Sequence, residues 1–443
     1  RSYNLYDEII IPNKIPNEFK IKAKKILDKF HSVKELLNYK LENGYPLFMF
    51  YDGVLKKEFL GTINLKHRSL LEELSKTLFL LDFYLGKLIK HQINILVLSH
   101  PTTIRFSTLL WVALKLGKPV YILNYRNNFI TIRYLNSIED FNKISTDICD
   151  YQKIEKLTEG KIKRLVSIGN DYVNKVSNNL KTEISLFKSN KNIMIENRVD
   201  FYNYFKAENK PNILILSSCF PDFPNANGLS YLENHVDWIK TTLDYAKNNQ
   251  KFNWIFKKHP AEHLYGDKIT LKKIIENYLS KNIFMIDNEL NYDSLINNCD
   301  CIVTSVGSAG YELTAKGKRV IMARNSLMSS WKFVDYATNK KQYLKLLENA
   351  TKIPKPNQKK IQDAKIFASL YATSPNIFPD QYKYQFGRLS YQIWKNLDSF
   401  IINNFDSIEE EKKLIRKWIT SKEFSYNTFK NIYYLNNILN EKN

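Results

Sequence analysis

The chain has little cysteine: four residues in 443, at positions 149, 219, 299 and 301. Only Cys299 and Cys301 lie close together, as a C-x-C, so the paired C-x2-4-C units of a structural zinc site are missing, as is the cysteine density of a disulfide scaffold. Long apolar runs are absent as well. The longest, such as Ile213–Leu216 and Leu78–Leu81, fall far short of the roughly 20 residues a membrane span needs. No long polar tract is devoid of aromatics, no repeat of solenoid length recurs, and no convincing Asp-x-Asp metal motif appears. These absences point to a reduced, cytoplasmic enzyme without a bound metal or cofactor.

What is present is a folding chain of ordinary balance, 44% hydrophobic and 25% charged, with an excess of base. Lysine and arginine number 66 against 45 aspartates and glutamates, a net charge of +21 spread over the whole length. Such a surplus suits nucleic acid, an anionic membrane surface or phosphorylated substrates, and AT-rich coding would produce it with no partner at all. At about three times the usual domain length, two full domains are expected.

Two stretches read as α/β units. In the first, Ile93–His100 is a strand, a helix runs from Leu109 to Leu116, and Val120–Leu123 is a second strand. Pro46–Tyr51 reads as a further strand ending at Asp52-Gly53. The second half repeats the pattern: strands at Pro211–Ser218, Trp254–Phe256, Ile283–Ile286, Cys301–Val303 and Arg319–Met322 alternate with helices at Leu229–Asn248, Leu271–Leu279, Tyr292–Asn298 and Ala309–Ala315. Alternation of this kind implies a parallel sheet with helices on both faces. The polar stretch Glu208–Pro211 marks the boundary. The expected domains are residues 1–205, 206–362 and a helical segment 363–443, with helices at Tyr382–Phe400 and Ile408–Ser421.

Two segments of the second half carry chemistry. Thr304–Lys318 follows a buried strand and opens a helix, so its backbone N–H groups and dipole face any anion at the strand's carboxyl end. Ser305 and Ser308 add hydroxyl donors, Gly307 permits close approach, and Glu312 is placed to accept from ribose hydroxyls. A purely structural reading has Ser308 capping the helix with Glu312 in support. The other segment, Trp254–Pro260, ends a strand in Lys257, Lys258, His259 and Pro260, where His259 can donate to a phosphate oxygen and the proline turns the chain out of the sheet. A simple turn is the alternative.

Lys257–Pro260 and Ser305–Glu312, with Gly317–Val320 after them and Tyr231–Leu243 before, resemble the capsule polysaccharide biosynthesis family, which includes the bacterial β-Kdo transferases. The resemblance covers roughly Pro211 to Met322. It implies a GT-B fold of two Rossmann-like domains, with C-terminal helices that cross back onto the first. It also implies a glycosyltransferase that takes an acidic sugar of Kdo or nonulosonic type from a CMP-activated donor, with His259 and the serines at the donor phosphate. Related CMP-sugar transferases carry an acidic motif ending in glycine in the first domain. Tyr51-Asp52-Gly53 is its nearest counterpart, with Asp52 as general base or as a plain turn residue. His100 and Thr102 occupy another carboxyl-end loop, suited to an acceptor or to mere connection.

Glu233 and His235 fall near the second domain's first loop, where a surface role is equally open. The expected partners are a nucleotide-sugar donor, a bacterial surface polysaccharide or glycolipid acceptor and an anionic inner-membrane surface. A CDP-polyol phosphotransferase or a UDP-sugar transferase or epimerase would use the same fold. A nucleic-acid-binding protein is a further reading, which no zinc pattern, RNA-binding aromatic motif or concentrated basic tract in the sequence supports.

Overall fold

The computed structural model describes residues 11–12, 14–99, 101–126, 129–142, 151–177, 193–226, 228–265, 268–286, 290–372 and 405–423. Helices α1 (Asn17–Leu27), α2 (Val33–Asn38), α3 (Leu47–Glu58) and α4 (Arg68–Lys90) lead into β1 (Leu96–Leu98), α5 (Ile104–Lys115), β2 (Val120–Arg126) and β3 (Phe129–Leu135). There follow α6 (Ile138–Asn142), α7 (Tyr151–Ile154), α8 (Glu159–Ser177), α9 (Arg198–Phe205), β4 (Asn212–Leu216), α10 (His235–Asn248), β5 (Asn253–Lys257) and α11 (Leu271–Ile275). The chain continues through β6 (Ile283–Ile286), α12 (Tyr292–Asn297), β7 (Cys301–Thr304), α13 (Ala309–Ala315), β8 (Val320–Met322) and β9 (Asp335–Tyr336). Helices α14 (Lys340–Glu348), α15 (Gln358–Ala372) and α16 (Phe405–Ser421) are the last among the described residues. The fold is α/β, as the alternation of elements implies.

Two compact units divide the chain, and not at residues 205 and 362. The first comprises residues 1–122, 135–143 and 221–229, the second 123–134, 144–220 and 230–443. Residues 151–205 thus fall in the second unit, because α8 packs along α15 and contributes Leu165 and Val173 to a core with Phe367 and Trp331. Helix α15 packs on α8 and α13, also within the second unit. The helix expected over Tyr382–Phe400 lies outside the described residues.

The first unit is more helical than its sequence suggests. Pro46–Tyr51, expected as a strand, is the start of helix α3, whose nine residues Leu47–Leu55 are all buried. A helix buried on every side has no polar stripe to reveal its period, so its sequence reads like that of a buried strand. Gly53 belongs to that packing rather than to a turn. A β-carbon there would come within 2.6 Å of Ile104 Cγ1, so its absence lets α3 approach the start of α5. Strands β1 and β2 pair in parallel, Leu96 with Val120 through Leu98 with Ile122.

The second unit is built on a six-stranded parallel sheet of order β6-β5-β4-β7-β8-β9. Alternation along each strand sends side chains to two separate cores. Ile213, Ile215, Trp254, Phe256, Cys301 and Val303 join one, with Val236, Ile239 and Leu243 of α10 and Tyr343 of α14. Leu214, Ile255 and Ile302 join the other, with Phe201 of α9, Leu295 of α12 and Leu313 of α13. Both faces are covered, which is why these strands are apolar almost throughout. Strand order reverses between β4 and β7, and in an open α/β sheet ligands bind at the carboxyl ends of the strands flanking such a reversal.

Candidate functional site

At that reversal Leu216 of β4 stands in register with Thr304 of β7 and with Lys257 of β5. The next residues, Ser217 and Ser305, therefore leave the sheet side by side. Ser217 donates its backbone N–H to Lys257 O at 3.1 Å, extending the ladder by one residue. Ser217 is 6% exposed and Ser305 fully buried, yet neither hydroxyl has a hydrogen-bond partner in the protein. Leaving a buried hydroxyl unpaired costs on the order of 1–3 kcal/mol, so two at the carboxyl ends of adjacent central strands mark a place where something else accepts or donates.

His259 stands two residues past the end of β5. Its Nδ1 accepts the backbone N–H of Ala261 at 3.1 Å and lies 3.0 Å from Cys219 Sγ. A backbone N–H can only donate, so Nδ1 holds a lone pair, and the proton of the neutral ring resides on Nε2. His259 is thereby set as a donor through Nε2.

The other sequence-derived candidates divide. Lys257 is buried, its Nζ 3.4 Å from Lys258 O. Lys258 instead pairs with Glu262 at 3.8 Å, and Glu262 also accepts the N–H of Leu271 at 3.1 Å, which ties Lys258 to the turn behind the strand. Pro260 leads directly into that turn, where Glu262 N–H bonds His259 O at 3.0 Å. A β-carbon on Gly307 would lie 3.1 Å from Thr304 Oγ1, so glycine keeps the loop close to its own strand. Ser308 already has helical dihedrals and its side chain makes no capping hydrogen bond, which disfavours the purely capping role. Glu312 is buried, and its charge, after burial itself, helps raise the Tyr292 phenol above its ordinary range.

Asp52 and Thr102 belong to the first unit, and His100 lies outside the described residues. Asp52 is not at a strand end. It sits in the middle of α3, 3% exposed, and its carboxylate accepts the Asn225 N–H at 2.7 Å and Asn225 Nδ2 at 2.9 Å. Nearby, Lys56 pairs with Asp222 at 2.7 Å and lies over the Phe223 ring at 5.2 Å. These contacts tie the 221–229 segment to Asp52, which stands on a helix and not at the strand end expected of it. Thr102 is half-buried in the turn before α5.

Sequence reasoning missed three neighbours. Ser217 and Cys219 come just after β4, and Arg324, 3% exposed, just after β8. His235, left open between a site and a surface role, is the first residue of α10 and 5% exposed, with its Nδ1 unpartnered. Burial, then the charge of Arg324, holds its imidazole down to about 3, so it is neutral at physiological pH. Tyr231 feels the Arg324 charge too, and its hydroxyl bonds the Ala323 carbonyl. The polar residues just beyond the carboxyl end of each strand, taken strand by strand, include both Ser217 and Arg324, so that signal was present in the sequence. Among the described residues no group of His, Cys, Asp or Glu is placed to hold a metal ion, and no helix is long and apolar enough to cross a membrane.

No family model matches the chain, and no curated protein matches it. Among solved structures it is similar to the β-Kdo 2,4 transferase of Thermosulfurimonas dismutans KpsC, at 12% identity over 62% of this chain and 79% of that one, with a TM-score of 0.38. A glycosyltransferase from Rickettsia africae matches at 14% identity over 80% of this chain and 93% of that one, with a TM-score of 0.31. A UDP-GlcNAc 2-epimerase from Neisseria meningitidis, bound to UDP-GlcNAc, matches at 12% identity over 73% of this chain and 92% of that one, with a TM-score of 0.26. At such distances the reading of the site rests on its own geometry.

Proposed function

We propose that the chain is a glycosyltransferase of the GT-B kind whose nucleotide-sugar donor places its phosphate at the carboxyl ends of β4, β5 and β7. The observation that carries this reading is the pair of buried, unpartnered hydroxyls of Ser217 and Ser305 at the reversal of strand order, beside a histidine fixed to donate through Nε2. Three such donors match an anion with several acceptor oxygens. Arg324 supplies positive charge to the same end of the sheet. As the bond from sugar to phosphate breaks, negative charge builds on the leaving nucleotide, and donors already in position gain strength without reorganising. Loss of one such donor typically costs about 100-fold or more in rate.

The donor in this reading is a CMP-activated acidic sugar of Kdo or nonulosonic type, supported by the resemblance carried by Lys257–Pro260 and Ser305–Glu312. The acceptor is a bacterial surface polysaccharide or glycolipid, and the net charge of +21 suits work at an anionic membrane face. Calorimetry with CMP, UMP, GMP and AMP tests the reading. CMP should bind most tightly, and Ser217→Ala or Ser305→Ala should weaken it. A clear preference for UMP would replace the CMP donor with a UDP-sugar, and no binding by any of the four would remove the nucleotide from the site.

A further inference from the structure

At His259 a side chain from beyond the end of the neighbouring strand reaches the imidazole. Cys219, three residues past β4 and 6% exposed, places Sγ 3.0 Å from His259 Nδ1. The same nitrogen already accepts the Ala261 N–H at 3.1 Å. That second contact decides which way the first one runs. With a backbone donor aimed at its lone pair, Nδ1 carries no proton, so the hydrogen in the sulfur contact belongs to the thiol, the two donors share the one lone pair, and the pair is thiol with imidazole. A thiolate with imidazolium, the arrangement of a cysteine nucleophile, would set an Nδ1–H against the Ala261 N–H.

We infer that Cys219 is a positioning residue, which holds the His259 ring in the tautomer and orientation that present Nε2–H to the donor phosphate. The Ala261 contact is local, two residues along the chain, and lasts only while the ring keeps this orientation. The Cys219 contact comes from a different strand of the sheet and references the ring to Ser217, two residues earlier on the same segment. Histidines that act through one nitrogen are commonly oriented by a partner on the other. Here the partner is a thiol that donates, which leaves the ring proton on Nε2, whereas a carboxylate or carbonyl in its place would accept from Nδ1–H. A thiol partner leaves the ring's charge unchanged, where a carboxylate would favour imidazolium.

The inference rests on the proposed role of His259, and its test separates the two. Turnover per folded molecule and the nitrogen-15 shifts of the His259 ring are measured in the wild type, Cys219→Ala and Cys219→Ser, with His259→Ala as assignment control. Cys219→Ala should lose about tenfold in turnover, the scale of one ordinary hydrogen bond, and its ring nitrogens should move toward the average of the two tautomers. Cys219→Ser, which keeps an O–H donor, should stay within about threefold of wild type and retain the Nε2–H pattern. Wild-type shifts and turnover in Cys219→Ala would overturn the inference, as would equal losses in both variants with an unchanged ring spectrum. Should Cys219→Ala fail to fold, a Cys219→Ser protein lacking the Nε2–H pattern overturns it alone. Full turnover in His259→Ala would instead overturn the reading of the site, and leave the ring's response to Cys219 to be read from the spectrum.

Discussion

Asp52 offers a decision between two roles that a pair of substitutions can make. Its buried carboxylate accepts two hydrogen bonds from Asn225, at 2.7 and 2.9 Å. Hydrogen bonds to a charged group contribute about 1.5–3 kcal/mol each, and removing the acceptor leaves both Asn225 donors stranded. Asp52→Ala should therefore cost about 3–5 kcal/mol of stability. Asp52→Asn keeps the shape and one acceptor. Its new amide nitrogen faces Asn225 Nδ2, donor against donor, unless the Asn225 amide turns over, so the cost should be nearer to about 1–2 kcal/mol. An anchor predicts that Asp52→Asn, normalised to folded protein, turns over at close to the wild-type rate. A general base predicts the opposite, with unchanged stability and a loss of about 100-fold or more. Denaturant midpoints and donor-consumption rates on the same preparations decide it. Wild-type stability with a 100-fold slower Asp52→Asn would refute the anchoring account.

Two further perturbations draw on the packing and charge of the second unit. His235 ionises only near pH 3 in the folded protein, from an ordinary value of 6.5, so the unfolded chain binds the extra proton first as pH falls. Its contribution is complete above pH 6.5 and is lost as pH falls below that, by about 2 kcal/mol at pH 5; His235→Gln should remove that part of the acid sensitivity, and an unchanged slope of stability against pH would contradict it. Gly169 of α8 meets α15 so closely that a β-carbon would fall 1.8 Å from Lys365 O, whereas one on Gly160 meets nothing within 4 Å. Gly169→Ala should cost about 3 kcal/mol or more and Gly160→Ala should be neutral or slightly stabilising, as read from denaturant midpoints.

The sheet of the second unit was legible because its strands are buried on both faces. Ile213–Leu216, Trp254–Phe256 and Cys301–Val303 are short apolar runs between helices of clear period, and the expected helix Ala309–Ala315 is α13 to the residue. Helix α10 begins at His235 rather than Leu229, because the residues before it belong to a loop that ends in the capping residue Asn234. In the first unit the same rule misled at Pro46–Tyr51, where a wholly buried helix shows neither period. The division into units was hidden for another reason. Helix α8 reaches α15 across about 200 residues of chain, a pairing that no local pattern encodes.

Part of the site was legible too. His259, Ser305, Ser217 and Arg324 all stand at the ends of strands that the sequence indicated, but only the first two lie in segments whose residues suggested a phosphate site. The feature that singles out Ser217, a buried hydroxyl without a partner, exists only once the fold excludes water from it.

The central claim places the donor's phosphate between the ends of β4, β5 and β7. A crystal structure with CMP bound tests it most directly. The account predicts phosphate oxygens within hydrogen-bonding distance of the Ser217 and Ser305 hydroxyls and of His259 Nε2. CMP held only by residues of the first unit, with both hydroxyls still unpartnered, would contradict it.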